Sequence, residues 1–331
     1  MSDPDRRRRK IRRRLVTVPA LFAATAISTL TLPVWFPASV LYDALRLHRR
    51  LPTTRLASFG LLWCWIESGG VVHSFRLWMI GRASDHDAEY ALMGWWAGHL
   101  MTALRWTIGV RPHLDGAALE GGNAVVLSRH ASLADSLLSG WAMQTMMGLH
   151  PRYVLKRELL YDPCLDIVGL RVPNHFLDRG TADSDRELQS LRELAEGVGP
   201  GVVAVIFTEG TRSNDQKRIR AIEKIAERDP GRARRLGGLR HLLPPRPAGS
   251  IALVEGAPGA DVVFAWHTGF DGLDSFGGML RTLRRPLPQV RFVTRRVQRS
   301  DVPSGEALGD WLDLQWLRMD AEVEAALTTS S

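Results

Sequence analysis

Residues 15–42 run without a single charge, and a second apolar stretch, 57–80, is broken only by Glu67, His73 and Arg76. As one straight helix the first stretch would reach about 42 Å, enough to cross a hydrocarbon core about 30 Å thick. Bent at Pro33 and Pro37, it would give two arms too short and unequal for two crossings. The three ionisable side chains of the second stretch make a clean span costly. The pattern therefore predicts a membrane-associating helical module over residues 15–88, half-buried in one leaflet. Ala24-Thr25-Ala26 could be read as a leader cleavage site, but apolar character continues through Trp35 and Phe36, which favours a retained membrane segment. The pattern at 85–108 is again helical and amphipathic.

From about residue 109 the period changes. Short β-branched runs at Ala124–Ser128, 153–156, Val202–Phe207 and 262–266 read as strands, with helical stretches at 136–149 and Ser184–Glu196 between them. Ser184 with Glu187 forms a capping box, and Gly197 is a stop. Residues 218–247 read as a helix and a long loop. A last helix over about 305–327, capped by Ser304, would bury Trp311, Leu314, Trp316 and Val323. Strands alternating with helices imply an α/β domain over residues 89–331, with a mostly parallel central sheet flanked by helices.

Charge changes the picture only at one end. The chain carries 43 basic and 35 acidic residues. Residues 1–14 form a basic tail with eight of the basic side chains (Arg6 to Arg9, Lys10, Arg12 to Arg14) against Asp3 and Asp5. The remaining 35 basic and 33 acidic groups nearly cancel. This argues against a nucleic-acid-binding face and for an arm that meets an anionic membrane surface. Arginines flank the first apolar stretch on both sides, which places both flanks in the cytoplasm by the positive-inside rule. Seven of the eleven tryptophans (35, 63, 65, 78, 95, 96 and 106) fall in the first third, as interfacial anchors or as helix packing. Cys64 and Cys164 lie far apart and show no metal-ligand spacing, so neither a disulfide framework nor a metal site is expected.

Candidate chemistry starts where the first strand ends, at His130, with Asp135 five residues on. On one continuous helix these side chains would point about 140° apart. They meet if His130 lies on the turn after the strand and Asp135 in the first helical turn, with Ser132 as N-cap and Asp135 at the third helical position. The carboxylate would then fix the imidazole tautomer and stabilise the imidazolium formed when His130 takes a proton. Two arginine-bearing turns could supply a phosphate site. Glu209, Gly210, Thr211 and Arg212 leave the Val202–Phe207 strand, and Arg179 ends the run Val172-Pro173-Asn174-His175-Phe176-Leu177-Asp178. Strand ends of parallel sheets are where ligands bind, and a turn with backbone N–H groups, a hydroxyl and a cation suits an anion.

In these blocks the sequence resembles the glycerophospholipid acyltransferases. His130-Ala131-Ser132-Leu133-Ala134-Asp135 is similar to their H-x4-D signature, and Phe176-Leu177-Asp178-Arg179 to their second block. Phe207-Thr208-Glu209-Gly210-Thr211-Arg212-Ser213 is similar to their F-P-E-G-T-R-S block, with Thr208 in place of proline. Leu155-Lys156-Arg157-Glu158-Leu159 resembles a K-x-E-L segment, and the fourth block is represented only by Val262-Val263-Phe264. The nearest branch is the 1-acylglycerol-3-phosphate acyltransferases, and the likeness covers roughly residues 90–320.

The resemblance implies transfer of an acyl chain from an acyl thioester to a lysophospholipid hydroxyl, with 1-acylglycerol-3-phosphate as acceptor and phosphatidic acid as product. In that scheme His130 is the base and Asp135 orients it. Arg179 and Arg212 hold the acceptor phosphate, Glu209, Gly210 and Thr211 contact the acceptor or shape the turn, and Lys156 supports the site or the donor. No cofactor or metal is implied beyond the co-substrate, acyl-CoA or acyl-carrier protein. The partners are the bilayer and the two lipid substrates, with the catalytic domain on the cytoplasmic face of the membrane. A different lysophospholipid or a glycolipid acceptor is the main alternative. A serine hydrolase would need a nucleophile elbow, and no G-x-S-x-G occurs. A non-catalytic lipid-binding protein would leave His130, Arg179 and Glu209 unexplained.

Overall fold

The computed structural model describes residues 3–132, 134–177, 184–270, 273, 275–287 and 289–329. The helices are α1 (Asp3–Leu30), α2 (Leu32–Leu45), α3 (Pro52–Met79), α4 (His86–Thr107), α5 (Asp135–Gly140), α6 (Pro163–Ile167), α7 (Ser184–Glu196), α8 (Asp215–Ala226), α9 (Pro230–Leu236), α10 (Pro247–Gly256), α11 (Phe276–Thr282) and α12 (Ala307–Thr329). The strands are β1 (Pro112–Asp115), β2 (Ala124–Ser128), β3 (His150–Lys156), β4 (His175–Leu177), β5 (Val202–Phe207), β6 (Asp261–Thr268) and β7 (Val290–Val297). The chain divides into two compact units. One is Met1–Val110 with Leu155–Asp178 and Leu280–Leu287; the other is Arg111–Val154, Arg179–Met279 and Pro288–Ser331.

In the first unit, the basic tail is the first half of α1 and not a separate arm. Arg13 donates from Nε, 3.0 Å, to the fully buried carboxylate of Asp166, and Arg14 reaches the same carboxylate at 3.2 Å. The expected bend lies slightly earlier than the prolines: the chain turns by 69° at Thr31. Pro33 sits in the first turn of α2, where a missing N–H costs nothing, and Pro37 continues inside that helix. Among the described residues no single helix is long and apolar enough to cross a membrane, and the bent α1–α2 pair alone passes by length and composition.

α3 packs against α1, α4 and α6. Gly70 makes its approach to α6 possible, since a Cβ there would stand 2.5 Å from the Cys164 sulfur. α4 starts where the sequence predicts, with the Asp85 side chain accepting from the Ala88 N–H. Trp63, Trp95 and Trp96 pack on the unit's buried clusters, whereas Trp65, Trp78 and Trp106 are exposed, so the early tryptophans divide between packing and surface. Phe22, Ile27, Phe36 and Phe75 are exposed as well.

The seven-stranded sheet has the order β1-β7-β6-β2-β5-β3-β4. β6, β2, β5 and β3 run parallel in sequence, β7 is antiparallel to β6, and β1 is parallel to β7. The expected α/β architecture with a mostly parallel sheet is therefore present. The two central strands, β2 and β5, bury nearly every residue, as strands covered on both faces must.

Three expectations shift. The stretch 218–247 is two helices, α8 and α9, before its loop, because Asp229 caps a second start by accepting from the Arg232 N–H. The last helix begins at Ala307, beyond Gly305, whose φ of +65° lies outside helical space. Within it Trp316 and Val323 are fully buried, but Leu314 is exposed, being off the face that packs inward.

Candidate active site

All the side chains brought together here belong to the second unit, at the carboxyl ends of β2, β5 and β6. β2 ends at Ser128, and the next residues turn out of the sheet instead of entering a helix directly. His130 Nδ1 lies 2.9 Å from Asp135 Oδ2. The same oxygen accepts the backbone N–H groups of Ala131 (2.6 Å) and Ser132 (2.9 Å), so the turn wraps around the carboxylate. This corrects the expected capping. α5 begins at Asp135 itself with Ala134 before it, and Ser132 lies inside the turn, its hydroxyl bonded to Asp135 Oδ1 and accepting from the Ala134 N–H. The capping-type bond from Ser132 to the Ala134 N–H is thus made within the turn, ahead of the regular helix. α5 then passes into a π-helical turn, Trp141–Met146.

Asp135 is buried, which alone would oppose its ionisation. A second imidazole, His267, and the bond from His130 outweigh that and hold the carboxyl far below the usual carboxylate range. His267 Nε2 stands 2.9 Å from Asp135 Oδ1. No motif in the sequence points to this residue. It closes the apolar strand β6 as polar His267-Thr268, next to β2 in the sheet, a juxtaposition that only the strand order creates.

The turn after β5 is tied to the His130 turn by its backbone. Ser213 N–H donates to the His130 carbonyl at 2.8 Å, and Thr208 N–H to the Ser128 carbonyl at 3.2 Å. A proline at 208, as in the resembling block, has no N–H for the second of these bonds. Gly210 has a φ of +67°, and a Cβ there would meet the Arg246 side chain at 3.0 Å, so both conformation and space call for glycine. Thr211 and Arg212 follow half-buried on the same turn, and Lys217 Nζ donates to the Arg212 carbonyl at 3.0 Å.

Glu209 is buried, and both of its oxygens serve the backbone. Oε1 accepts from the His130 N–H at 3.2 Å and Oε2 from the Leu243 N–H at 3.3 Å. Of the two roles open to it, contacting the acceptor or shaping the turn, this geometry gives it the second. Burial pushes its carboxyl up to about 8, against the attraction of the buried Arg129 guanidinium. Between pH 5 and 8 the unfolded chain releases this proton while the fold retains it. The folded state then binds more protons, and stability falls as pH rises. Glu209→Gln removes that slope. Unfolding measured at pH 5, 6.5 and 8 is expected to show wild type losing ground to the variant; a pH-independent gap would show the carboxyl ionised throughout.

Lys156 closes β3 and falls in the first unit, as does β4 with Phe176 and Leu177. Asp178 and Arg179 lie outside the described residues. Among the described residues no cluster of three or more His, Cys, Asp or Glu side chains could hold a metal ion.

Residues 109–255, the stretch that holds both turns, match the family model described as Acyltransferase. Over 203 residues the chain is 27% identical to the mouse (Mus musculus) 1-acyl-sn-glycerol-3-phosphate acyltransferase epsilon, covering 57% of this chain and 54% of that protein. The stretch that carries both turns is thus similar to the Acyltransferase family. The chain spans about half the length of the curated relative it matches. The chain also aligns with the crystal structure of the 1-acyl-sn-glycerophosphate (LPA) acyltransferase PlsC from Thermotoga maritima, at 18% identity and a TM-score of 0.46, covering 96% of this chain and 98% of that one.

Proposed function

We propose that the protein is a membrane-bound O-acyltransferase that moves an acyl chain from a thioester to the free hydroxyl of 1-acylglycerol-3-phosphate, giving phosphatidic acid. The observation that carries this reading is the His130–Asp135 pair, 2.9 Å apart and tied by backbone to the Glu209–Arg212 turn. With Nδ1 committed to a carboxylate, the neutral ring carries its proton there and leaves Nε2 as the base. Nε2 takes the acceptor's hydroxyl proton as that oxygen attacks the thioester carbonyl carbon. Asp135 stabilises the imidazolium while the tetrahedral adduct lasts. The C–S bond then breaks, the proton passes from His130 to the departing sulfur, and an ester and a free thiol result. No cofactor enters beyond acyl-CoA or an acyl-carrier protein as co-substrate.

Arg212, with Arg179 from outside the described residues, holds the acceptor phosphate. Arginine's planar fork suits bidentate binding of phosphate oxygens. Lys156 supports the site or the donor's phosphates. Membrane attachment is supported by the exposed apolar side chains of the first unit and by the exposed Arg7, Arg8, Arg9 and Arg12 on α1. Both substrates partition into lipid, so a site resting on the cytoplasmic leaflet spares the cost of drawing a chain into water. The acceptor is the one for which the mouse relative is named.

The test is a panel of acceptors in anionic vesicles with one labelled oleoyl-CoA. Label is expected in phosphatidic acid when lysophosphatidic acid is supplied. Label confined to another lysophospholipid or a glycolipid would reassign the acceptor, and free fatty acid without acylated lipid would overturn the transfer itself.

A further inference from the structure

The acyl-transfer scheme leaves one buried titratable group at the site unused. His267 lies at the end of β6 and is 2% exposed. β6 runs parallel to β2 with Ala265 opposite Ser128, so His267 comes level with His130 on the adjacent strand. Its Nε2 is 2.9 Å from Asp135 Oδ1, while His130 Nδ1 is 2.9 Å from Oδ2. One carboxylate is thus shared by two imidazoles, each on its own oxygen. The backbone of His267 is held in place, since Arg129 Nη1 donates to its carbonyl at 2.6 Å. Its ring meets Phe270 edge-on at 5.5 Å. The Nε2 contact lacks the alignment of a full hydrogen bond, so it is chiefly electrostatic.

We propose that His267 is a positioning residue for the transfer: at the far oxygen, beside the Ser132 hydroxyl, it helps hold the Asp135 carboxylate and through it sets the orientation and basicity of His130. The proposal rests on the reading of His130 as the base. Oδ1 also takes the Ser132 hydroxyl, so what His267 adds there is charge as well as a second contact: charge drawn toward Oδ1 is not spent on the His130 imidazolium. A neutral N–H and an imidazolium at His267 both draw charge in that direction, so the sign does not depend on its protonation. The charged and titratable groups around the pair are Arg129 on the β2 turn, Glu209 on the β5 turn, and His130, Asp135 and His267 themselves. Arg129 and Glu209 stay in place when His267 is changed.

The experiment uses the full chain in anionic vesicles with oleoyl-CoA and lysophosphatidic acid, comparing His267→Phe, His267→Asn and His267→Gln with wild type. Phe and Asn are expected to lower kcat by about tenfold to a hundredfold, the range for losing an outer-shell orienting contact. KM for each substrate should stay within about twofold, because ground-state binding is untouched. The acidic limb of the pH–rate profile should move to higher pH, because an unshared Asp135 favours the His130 imidazolium. Gln, whose amide nitrogen reaches the place of Nε2, should recover most of the rate. Asn, too short to do so, serves as the control should Phe fail to fold. Wild-type kcat and pH profile in both Phe and Asn, a loss confined to KM, or a Gln variant no better than Asn would overturn the proposal. His130→Ala is run alongside: activity surviving there indicts the base assignment, whereas an inactive His130→Ala beside an unaffected His267→Asn indicts His267 alone.

Discussion

His130→Ala is expected to lower kcat for acyl transfer by about a hundredfold to ten-thousandfold, the contribution of a positioned general base. The fold should survive, because the His130 side chain is partly exposed and its hydrogen bond is to Asp135. Asp135→Asn is the more informative companion. The amide nearly matches the carboxylate in shape, but it cannot stabilise an imidazolium and it presents an N–H where an acceptor is needed. Asp135 accepts from Ala131 and Ser132 backbone N–H groups as well as from His130. The variant should therefore lose rate by a similar factor and also some stability, about 1–3 kcal/mol for a buried bonding group left ill-matched. Rates with oleoyl-CoA and lysophosphatidic acid, together with thermal unfolding, separate the two effects. Full activity in His130→Ala would sink the mechanism.

The largest stability loss is expected from Trp316→Ala, about 3–5 kcal/mol for a fully buried tryptophan cut to alanine. Trp316 on α12 is fully buried, and its indole Nε1 donates to the Leu243 carbonyl at 2.8 Å. Asp320, one turn on, accepts the N–H groups of Arg240, His241 and Leu242 at 2.8–2.9 Å. Leu243 N–H in turn donates to Glu209, whose other oxygen holds the His130 N–H. The C-terminal helix is thus connected to His130 through one loop and one buried carboxylate. Thermal melting should fall by roughly 2–4 °C per kcal/mol for a unit of this size. Trp316→Phe keeps most of the volume and loses the donor, so its loss should be a fraction of that; equal losses would show that the bond to Leu243, not packing, is what counts.

The sequence conveys the strands that are covered on both faces and hides those that are not. β2 and β5 are continuous apolar runs with nothing else they could be, and their limits are read correctly. β7, Val-Arg-Phe-Val-Thr-Arg-Arg-Val, buries only Val290 and Phe292, and its arginines mask the alternation. β1 is four residues opening on a proline, and β4 only three, below the length at which a period of two can be seen. The pairing of His130 with Asp135 was legible because both lie in one short segment. His267 was not, since it comes 137 residues after His130 and meets Asp135 only once β6 has paired with β2. The buried role of Glu209 depends on Leu243 in the same way. Contacts closed by sheet order leave no local trace.

The twin arginines on Asp166 divide the N-terminal cluster into two kinds of charge. Arg7, Arg8, Arg9 and Arg12 face solvent, whereas Arg13 and Arg14 are committed to a carboxylate that is fully buried. A chain trimmed after residue 14 to ease its purification would leave that carboxylate inside the protein without its counter-ions, a fault that costs far more than lost lipid attraction. Any engineering of the cluster should therefore stop short of Arg13: the first dozen residues are adjustable, and the two that follow are part of the foundations.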